Sequence, residues 1–257
     1  MFGPRFRQGG LKSLPVARMV PNMITLLALC AGMTSVRLAL MEEWDRAVLA
    51  IVVAAVLDAL DGRIARLLRG TTRFGAELDS LSDFVSFGCA PAVVLYLWSL
   101  HAAASVGWAV ALLFSIAMAL RLARFNTMLG DPDEPPAWAA SFFVGIPAPA
   151  AAGLALWPMI AGFAVEPMAE TLRHPIIVGP LMVAVAALMV SRVPTFSFKR
   201  FRVPGQLALP VMLGMAVVAA FAVTNPAATL AVLLLLYLAT IPFSVRAFRK
   251  RQAAAEG

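Results

Sequence analysis

The chain has 257 residues, of which 61% are hydrophobic and 14% charged, and its mean hydropathy is +0.85. Soluble domains carry about 25% charged and roughly 45–50% apolar residues, so a water-soluble globule and a disordered chain are both excluded. The formal net charge of +7 is spread over the ends and loops rather than gathered in a patch, which argues for no nucleic acid partner.

The expected fold is an all-α integral membrane protein with about eight transmembrane helices. A crossing needs about 20 mainly apolar residues. Eight stretches qualify in chain order: Asn22–Leu40, Arg46–Leu68, Glu77–Leu100, Val106–Thr127, Ile146–Val165, Ile176–Ser191, Leu207–Thr224 and Ala227–Val245. The sixth is the shortest. Helix breakers separate several of them, among them Asp131–Pro136 and Asn225-Pro226. The first apolar run lacks a small-residue cleavage pattern and reads as a retained helix. Before it, Phe6–Val20 mixes basic residues with Leu11, Leu14, Val16 and Met19. It reads equally as an interfacial amphipathic helix or as a basic tail that fixes topology. The resulting plan is a basic N-terminal segment over 1–20, a catalytic membrane domain over 21–200, and two further helices with a basic tail over 201–257. Cys30 and Cys89 sit in apolar runs and imply no disulfide framework.

Lys and Arg beside the spans set the orientation. With eight crossings, 18 of the 21 basic residues fall on one side, leaving only Arg37, Arg46 and Arg173 for the other. The expectation is therefore that both termini face the cytoplasm, together with the loops that carry Arg63–Arg73, Arg121–Arg124 and Arg192–Arg202. Some of this charge also suits anionic membrane lipids.

The chemistry concentrates where the second and third spans meet. Asp58, Asp61, Gly62, Ala65 and Arg66 fall on one helical stripe, and Gly75, Asp79 and Asp83 on another. Two antiparallel helices facing these stripes together would gather four carboxylates. An Asp at the centre of a membrane helix costs roughly 2.5–3.5 kcal/mol, and four like charges repel one another. Divalent cations resolve both problems, because hard ions prefer oxygen ligands and Mg²⁺ is commonly held by carboxylates with substrate phosphates. A pair of ions ~3.5–4 Å apart serves phosphoryl chemistry. Gly62, Ala65 and Gly75 remove bulk so that a ligand can approach the backbone. Arg66 offers forked donors to phosphate.

At these residues the sequence closely resembles the CDP-alcohol phosphotransferase family, whose signature D-x2-D-G-x2-A-R-x8-G-x3-D-x3-D is met at every fixed position from Asp58 to Asp83. The resemblance implies two Mg²⁺ or Mn²⁺ ions holding the diphosphate of a CDP-linked lipid. It further implies that Asp58, Asp61 and Asp79 bind one ion, that Asp58, Asp79 and Asp83 bind the other, and that Asp83 is the catalytic base. Gly62, Arg66 and Thr72 match positions that contact the CDP-lipid, and Ala65 and Gly75 belong to the same wall. Pro21-Asn22-Met23-Ile24-Thr25 looks like the nucleotide-contacting entry to the first span, with Asn22 and Thr25 as contacts.

Three further stretches resemble the membrane-type phosphatidylserine synthase branch: Leu120–Asn126, Phe143–Ala152, and Leu181-Met182 continuing to Ser191–Lys199. The recognisable region runs from about Pro21 to Lys199. The branch implies transfer of the phosphatidyl group of CDP-diacylglycerol to L-serine, in a homodimer of the bacterial inner membrane. Serine is a zwitterion, and Arg121, Arg124 and Asn126 with Gly145 and Pro147 are the candidates for holding it. The arginines are equally explained as positive-inside residues with snorkelled heads. Rival readings keep the chemistry with another acceptor (glycerol 3-phosphate, an inositol phosphate or choline) or make the aspartates part of a cation or proton transporter. Transporters usually show inverted repeats and sites at the midplane, whereas no repeat appears here.

Overall fold

The computed structural model describes residues 19–68, 72–129, 142–196 and 207–256. Nearly all of the basic segment 1–20, and the breaker at Asp131–Pro136, lie outside the described residues.

Each of the eight expected stretches is helical. Helix α1 (Val20–Leu40) starts with Pro21 in its first turn, where the missing N–H costs nothing. A tight turn, with Glu42 at φ 60°, leads into α2 (Trp44–Leu67). Pro21, Thr25, Ala28, Gly32, Ser35 and Ala39 form a buried stripe of small residues on α1. Ala47, Ile51, Ala54 and Asp61 are buried on α2, and the two helices pack closely against each other. Small side chains let membrane helices approach, which is what this pairing exploits.

The third stretch comprises α3 (Arg73–Asp83), a π-helical segment (Phe84–Cys89) and α4 (Ala90–Trp98), which together make one apolar length. Ser82 Oγ donates to Thr25 O at 3.1 Å and Ser86 Oγ to Ala28 O at 3.2 Å, tying this element to α1. A Cβ on Gly32 would run into Ser86, so glycine is needed for that approach.

Helix α5 (Ala104–Leu129) returns across the bundle. Helix α6 (Ala148–Ala164) is the central one: Ala151, Ala152, Leu154, Ala155, Leu156, Met159 and Ile160 are all buried. An apolar surface all round suits a helix in the middle of a bundle. Helix α7 (Ala169–Arg173) precedes α8 (Pro175–Val190), and the segment Glu166–Arg173 is bent by 73° from α8. The bend falls at His174, which precedes a proline and takes an extended ψ of 132°. Helix α9 (Ala208–Thr224) buries none of its residues. Helix α10 (Pro226–Glu256) packs against α6, where Trp157 Nε1 donates to Ala231 O at 3.1 Å.

Two short strands supplement the helices. Strand β1 (Phe142–Val144) pairs antiparallel with β2 (Pro194–Phe196), in the register Phe143 opposite Thr195. The sequence reading contained no sheet, and these three-residue strands are too short to leave a periodic signal.

Among the described residues, four helical lengths are long and apolar enough to cross a membrane, and the bent pair Glu166–Val190 makes a fifth. The protein is thus an all-α integral membrane protein in its spanning architecture. Helix α2, at 24 residues and about 36 Å, has the length of a crossing. Asp58, Asp61, Arg63 and Arg66 deny it an apolar composition. Helices α6 and α9, at 17 residues each, are shorter than the usual crossing.

Candidate functional site

Asp58 and Asp61 occupy the last turns of α2, and Asp79 and Asp83 the last turns of α3. Carboxylate oxygens of Asp58, Asp61 and Asp79 all lie within 4.8 Å of one another. Asp83 joins them through Asp58, with which it is in hydrogen-bonding reach. Asp61 is the most buried, at 4% exposure, and Thr25 Oγ1 donates to its Oδ2 at 2.6 Å. That contact fixes the carboxylate from α1, the third helix of the site.

Among the described residues the ion pair is Arg46 with Glu43, far along α2 from the cluster, and none of the four aspartates makes a direct ion pair, the one basic group in electrostatic reach of them being Arg121. Carboxylates withdrawn from water without compensation are costly. Four oxygen-donor groups converging in this state fit hard divalent cations.

The mouth of the site is built from the starts of α1 and α3. Thr72, extended at φ −122° and ψ 154°, caps α3, its Oγ1 accepting from Gly75 N at 3.0 Å. A Cβ on Gly75 would sit 3.0 Å from Asn22 Oδ1 and 3.1 Å from Thr72 Oγ1, so the bare glycine makes room for the Asn22 amide. Asn22, Thr72 and Gly75 therefore meet at one point. On α2, a Cβ on Gly62 would lie 3.6 Å from an Arg66 guanidinium nitrogen, which places that guanidinium over Gly62. Arg66 is exposed and Ala65 half-buried.

The three stretches singled out beyond the aspartates converge as well. Arg121 Nε donates to Ile146 O at 2.6 Å, which ties α5 to the start of α6. Its Nη1 is buried with no hydrogen-bond partner among the described residues, and the guanidinium is in electrostatic reach of Asp83. Arg124 is differently employed. Its Nη1 donates to Val190 O at 2.9 Å and its Nη2 to Ser191 O at 3.1 Å, so it satisfies carbonyls at the C-terminus of α8. Gly145 has φ +78°, and a Cβ there would lie 2.9 Å from Met189 O. Its N–H donates to Val193 O at 2.9 Å and its carbonyl accepts from Thr195 Oγ1 at 2.8 Å. Pro147 caps α6 with an extended ψ of 149°. Asn126 faces α3 instead: its Oδ1 accepts from Ser80 Oγ at 3.1 Å and its Nδ2 lies 3.5 Å from Glu77 Oε2.

Of the five residues considered for the acceptor, Arg121 has an uncommitted donor beside the aspartates. Arg124 and Asn126 have their donors engaged within the protein, while Gly145 and Pro147 shape the backbone. The sequence reading missed Tyr237 of α10, which lies in electrostatic reach of Arg121. A lone tyrosine inside an otherwise apolar helix was the available signal.

The comparisons with known proteins agree with this geometry. The family described as CDP-alcohol phosphatidyltransferase matches residues 18–252. The match runs past Lys199 and takes in α9 and most of α10, further than the motifs alone reached. A CDP-diacylglycerol–serine O-phosphatidyltransferase of Mycobacterium leprae is 40% identical over 230 residues, 89% of this chain and 75% of the relative. One from Bacillus subtilis is 32% identical over 181 residues, 70% of this chain and 92% of the relative. An archaetidylserine synthase of Methanothermobacter thermautotrophicus is 30% identical over 179 residues, 68% of each chain. Taken with the aspartates gathered between α2 and α3, these matches mean that the chain belongs to the CDP-alcohol phosphatidyltransferase family.

Proposed function

We propose that this protein transfers the phosphatidyl group of CDP-diacylglycerol to the hydroxyl of L-serine, giving phosphatidylserine and CMP. The observation that carries the reading is the set of converging carboxylates, Asp58, Asp61 and Asp79 within 4.8 Å of one another and Asp83 in hydrogen-bonding reach of Asp58, none of them in a direct ion pair among the described residues. The matched relatives named for transfer to serine supply the acceptor.

Asp58, Asp61, Asp79 and Asp83 would hold two divalent ions, Mg²⁺ or Mn²⁺, which when bound neutralise the diphosphate and the charge growing on CMP. The remaining work falls to the protein. Thr25 holds the Asp61 carboxylate in one orientation. Asn22, Thr72 and Gly75 form the nucleotide side of the mouth, and Arg66, over Gly62 and beside Ala65, meets phosphate oxygens with its forked donors. The serine hydroxyl is a weak nucleophile at neutral pH, so Asp83 accepts its proton as the new P–O bond forms and the bond to CMP breaks. Arg121 Nη1, buried and unpaired, is a donor for the serine carboxylate. Gly145 and Pro147 keep the α6 entry in place around it. Arg124 and Asn126 support this wall through the α8 carbonyls and through α3. The active site and both termini face the cytoplasm of a bacterial inner membrane, and the protein works as a homodimer.

The test is CMP release from CDP-diacylglycerol by the purified protein with Mg²⁺ or Mn²⁺. Release should require serine. Faster release with glycerol 3-phosphate than with serine would replace the acceptor while leaving the reaction class intact. No metal-dependent release with any alcohol would overturn the reading.

A further inference from the structure

Helix α10 turns one face into the bundle. Leu234, Ile241 and Ser244 are buried on it, and Tyr237 falls on the same face by its spacing of three and four residues. Two contacts set the register of α10 on α6. Trp157 Nε1 donates to Ala231 O at 3.1 Å, and a Cβ on Gly153 would meet Leu234 Cδ2 at 2.7 Å. The numbers fall on one helix as they rise on the other, so the two run antiparallel. One turn further on, Tyr237 comes level with the first turn of α6, which begins at Ala148. Arg121 is anchored at that same end of α6, through Ile146 O. The Tyr237 hydroxyl is closed off from solvent and makes no hydrogen bond among the described residues. Thr195 Oγ1 is near enough to interact with it, but that hydroxyl donates its own proton to Gly145 O at 2.8 Å. Arg121 Nη1 is likewise buried and unpartnered, and the two groups lie in electrostatic reach of each other.

From this geometry we infer that Tyr237 is an acceptor-binding residue, its hydroxyl holding the substrate carboxylate jointly with Arg121 Nη1. The inference rests on the reading of serine as the acceptor. Buried donors without partners are rare and costly, so a pair of them marks a place for a ligand. A guanidinium only donates, whereas a phenol donates or accepts. The phenol nevertheless takes no bond from Arg121, so both donors are left for a third group. That group is an anion, because Arg124 adds a second positive charge in electrostatic reach of Arg121. Arg124 has its own donors on the α8 carbonyls. A carboxylate has an oxygen for each of the two free donors. Arg121 also lies in electrostatic reach of Asp83. In serine two carbons separate the carboxylate from the hydroxyl, so a carboxylate held here keeps the hydroxyl near the base. The last helix thereby takes part in choosing the acceptor, beyond closing the bundle.

The test uses the full chain in mixed micelles with CDP-diacylglycerol and Mg²⁺, and reads CMP release. Tyr237→Phe keeps the ring and removes the hydroxyl. It should raise KM for serine about ten-fold, the loss of one hydrogen bond to a charged group, with kcat and the donor KM unchanged. Ethanolamine, which has the hydroxyl and the amine without the carboxylate, should be used no worse by the variant than by the wild type. Tyr96, the other of the two tyrosines, packs edge-on against Trp108. Tyr96→Phe should leave the serine KM at the wild-type level. It also leaves Tyr237 as the single site for incorporated fluorotyrosine. With Mg²⁺ and CDP present, serine should shift that fluorine resonance and ethanolamine should not. An unchanged serine KM in Tyr237→Phe would overturn the assignment. An equal rise in donor KM would also overturn it and give the hydroxyl to the donor phosphates. A raised serine KM with no shift of the resonance would overturn the contact and leave Tyr237 a packing residue. Failure of the underlying reading shows in the wild type alone, as CMP release that needs no serine or prefers another alcohol.

Discussion

The aspartate helices and the Arg121–Gly145 cluster are both polar regions inside an apolar bundle, yet they are provisioned in opposite ways. On α2 and α3, four acidic groups converge with no direct ion pair among the described residues. Around α5, α6 and α8, most polar atoms are already paired: Arg124 with Val190 and Ser191, Thr195 with Gly145, Arg121 Nε with Ile146. One region leaves most of its carboxylate oxygens without a donor from the protein, apart from Thr25 on Asp61 and the Asp58–Asp83 contact, and the other spends nearly all of its polar atoms on its own backbone. Arg121 Nη1 is the exception in the second region. The contrast separates groups available for chemistry from groups that position it.

Breaking the first region should have the largest effect. Asp58→Asn, Asp61→Asn and Asp79→Asn should each abolish transfer while the protein still inserts, since a neutral amide is easier to keep in a membrane. Near-normal CMP release by any one of them would mean that the four do not act together. Asp83→Asn, removing the proton acceptor, should lower kcat by about 10²–10⁴ with donor binding largely retained.

Next in size is a test inside the second region. Arg121→Gln should raise KM for serine by roughly ten- to a hundred-fold, the loss of a charge-assisted hydrogen bond, with little change for the donor. Arg124→Gln should instead lower the thermal midpoint, because it strips partners from the α8 C-terminus. Serine KM should move little. A reversal of these two outcomes would exchange the roles given to the two arginines.

Arg66→Lys should weaken donor binding about ten-fold, because a point charge does not reproduce forked contacts to phosphate. Metal affinity should change less. Unchanged donor affinity in Arg66→Ala would make Arg66 a topology residue only. The smallest effect is expected from Gly75→Ala, whose methyl group would press on Asn22 Oδ1 at 3.0 Å. A several-fold rise in donor KM would show that the contact matters, and an unchanged KM would show that it does not.

How much of this was legible in the sequence follows the same division. The aspartates lie within one stretch of chain at helical spacings, so periodicity alone brought them together, and Asp58, Asp61 and Asp79 do meet. The eight helical stretches were legible for a similar reason, since long apolar runs bounded by Pro and Asn leave few alternatives. What escaped depends on distant partners. Nothing local distinguishes Arg121 from Arg124, three residues apart on α5. One meets the start of α6 and the other the end of α8. The β1–β2 pairing joins segments about fifty residues apart in short strands. Gly145 stands in a recognisable motif, but its φ of +78° and its place against Met189 O appear only once α8 is beside it.

The central claim is that the carboxylates of α2 and α3 form a site for divalent metal. The most direct measurement is Mn²⁺ binding to the purified protein after chelator treatment, followed by electron paramagnetic resonance or calorimetry with CDP-diacylglycerol present. The wild type should bind two ions per chain and show coupling between them, and Asp58→Asn and Asp79→Asn should lose that signature. Binding that is absent in the wild type, or unaltered in both variants, would contradict the account.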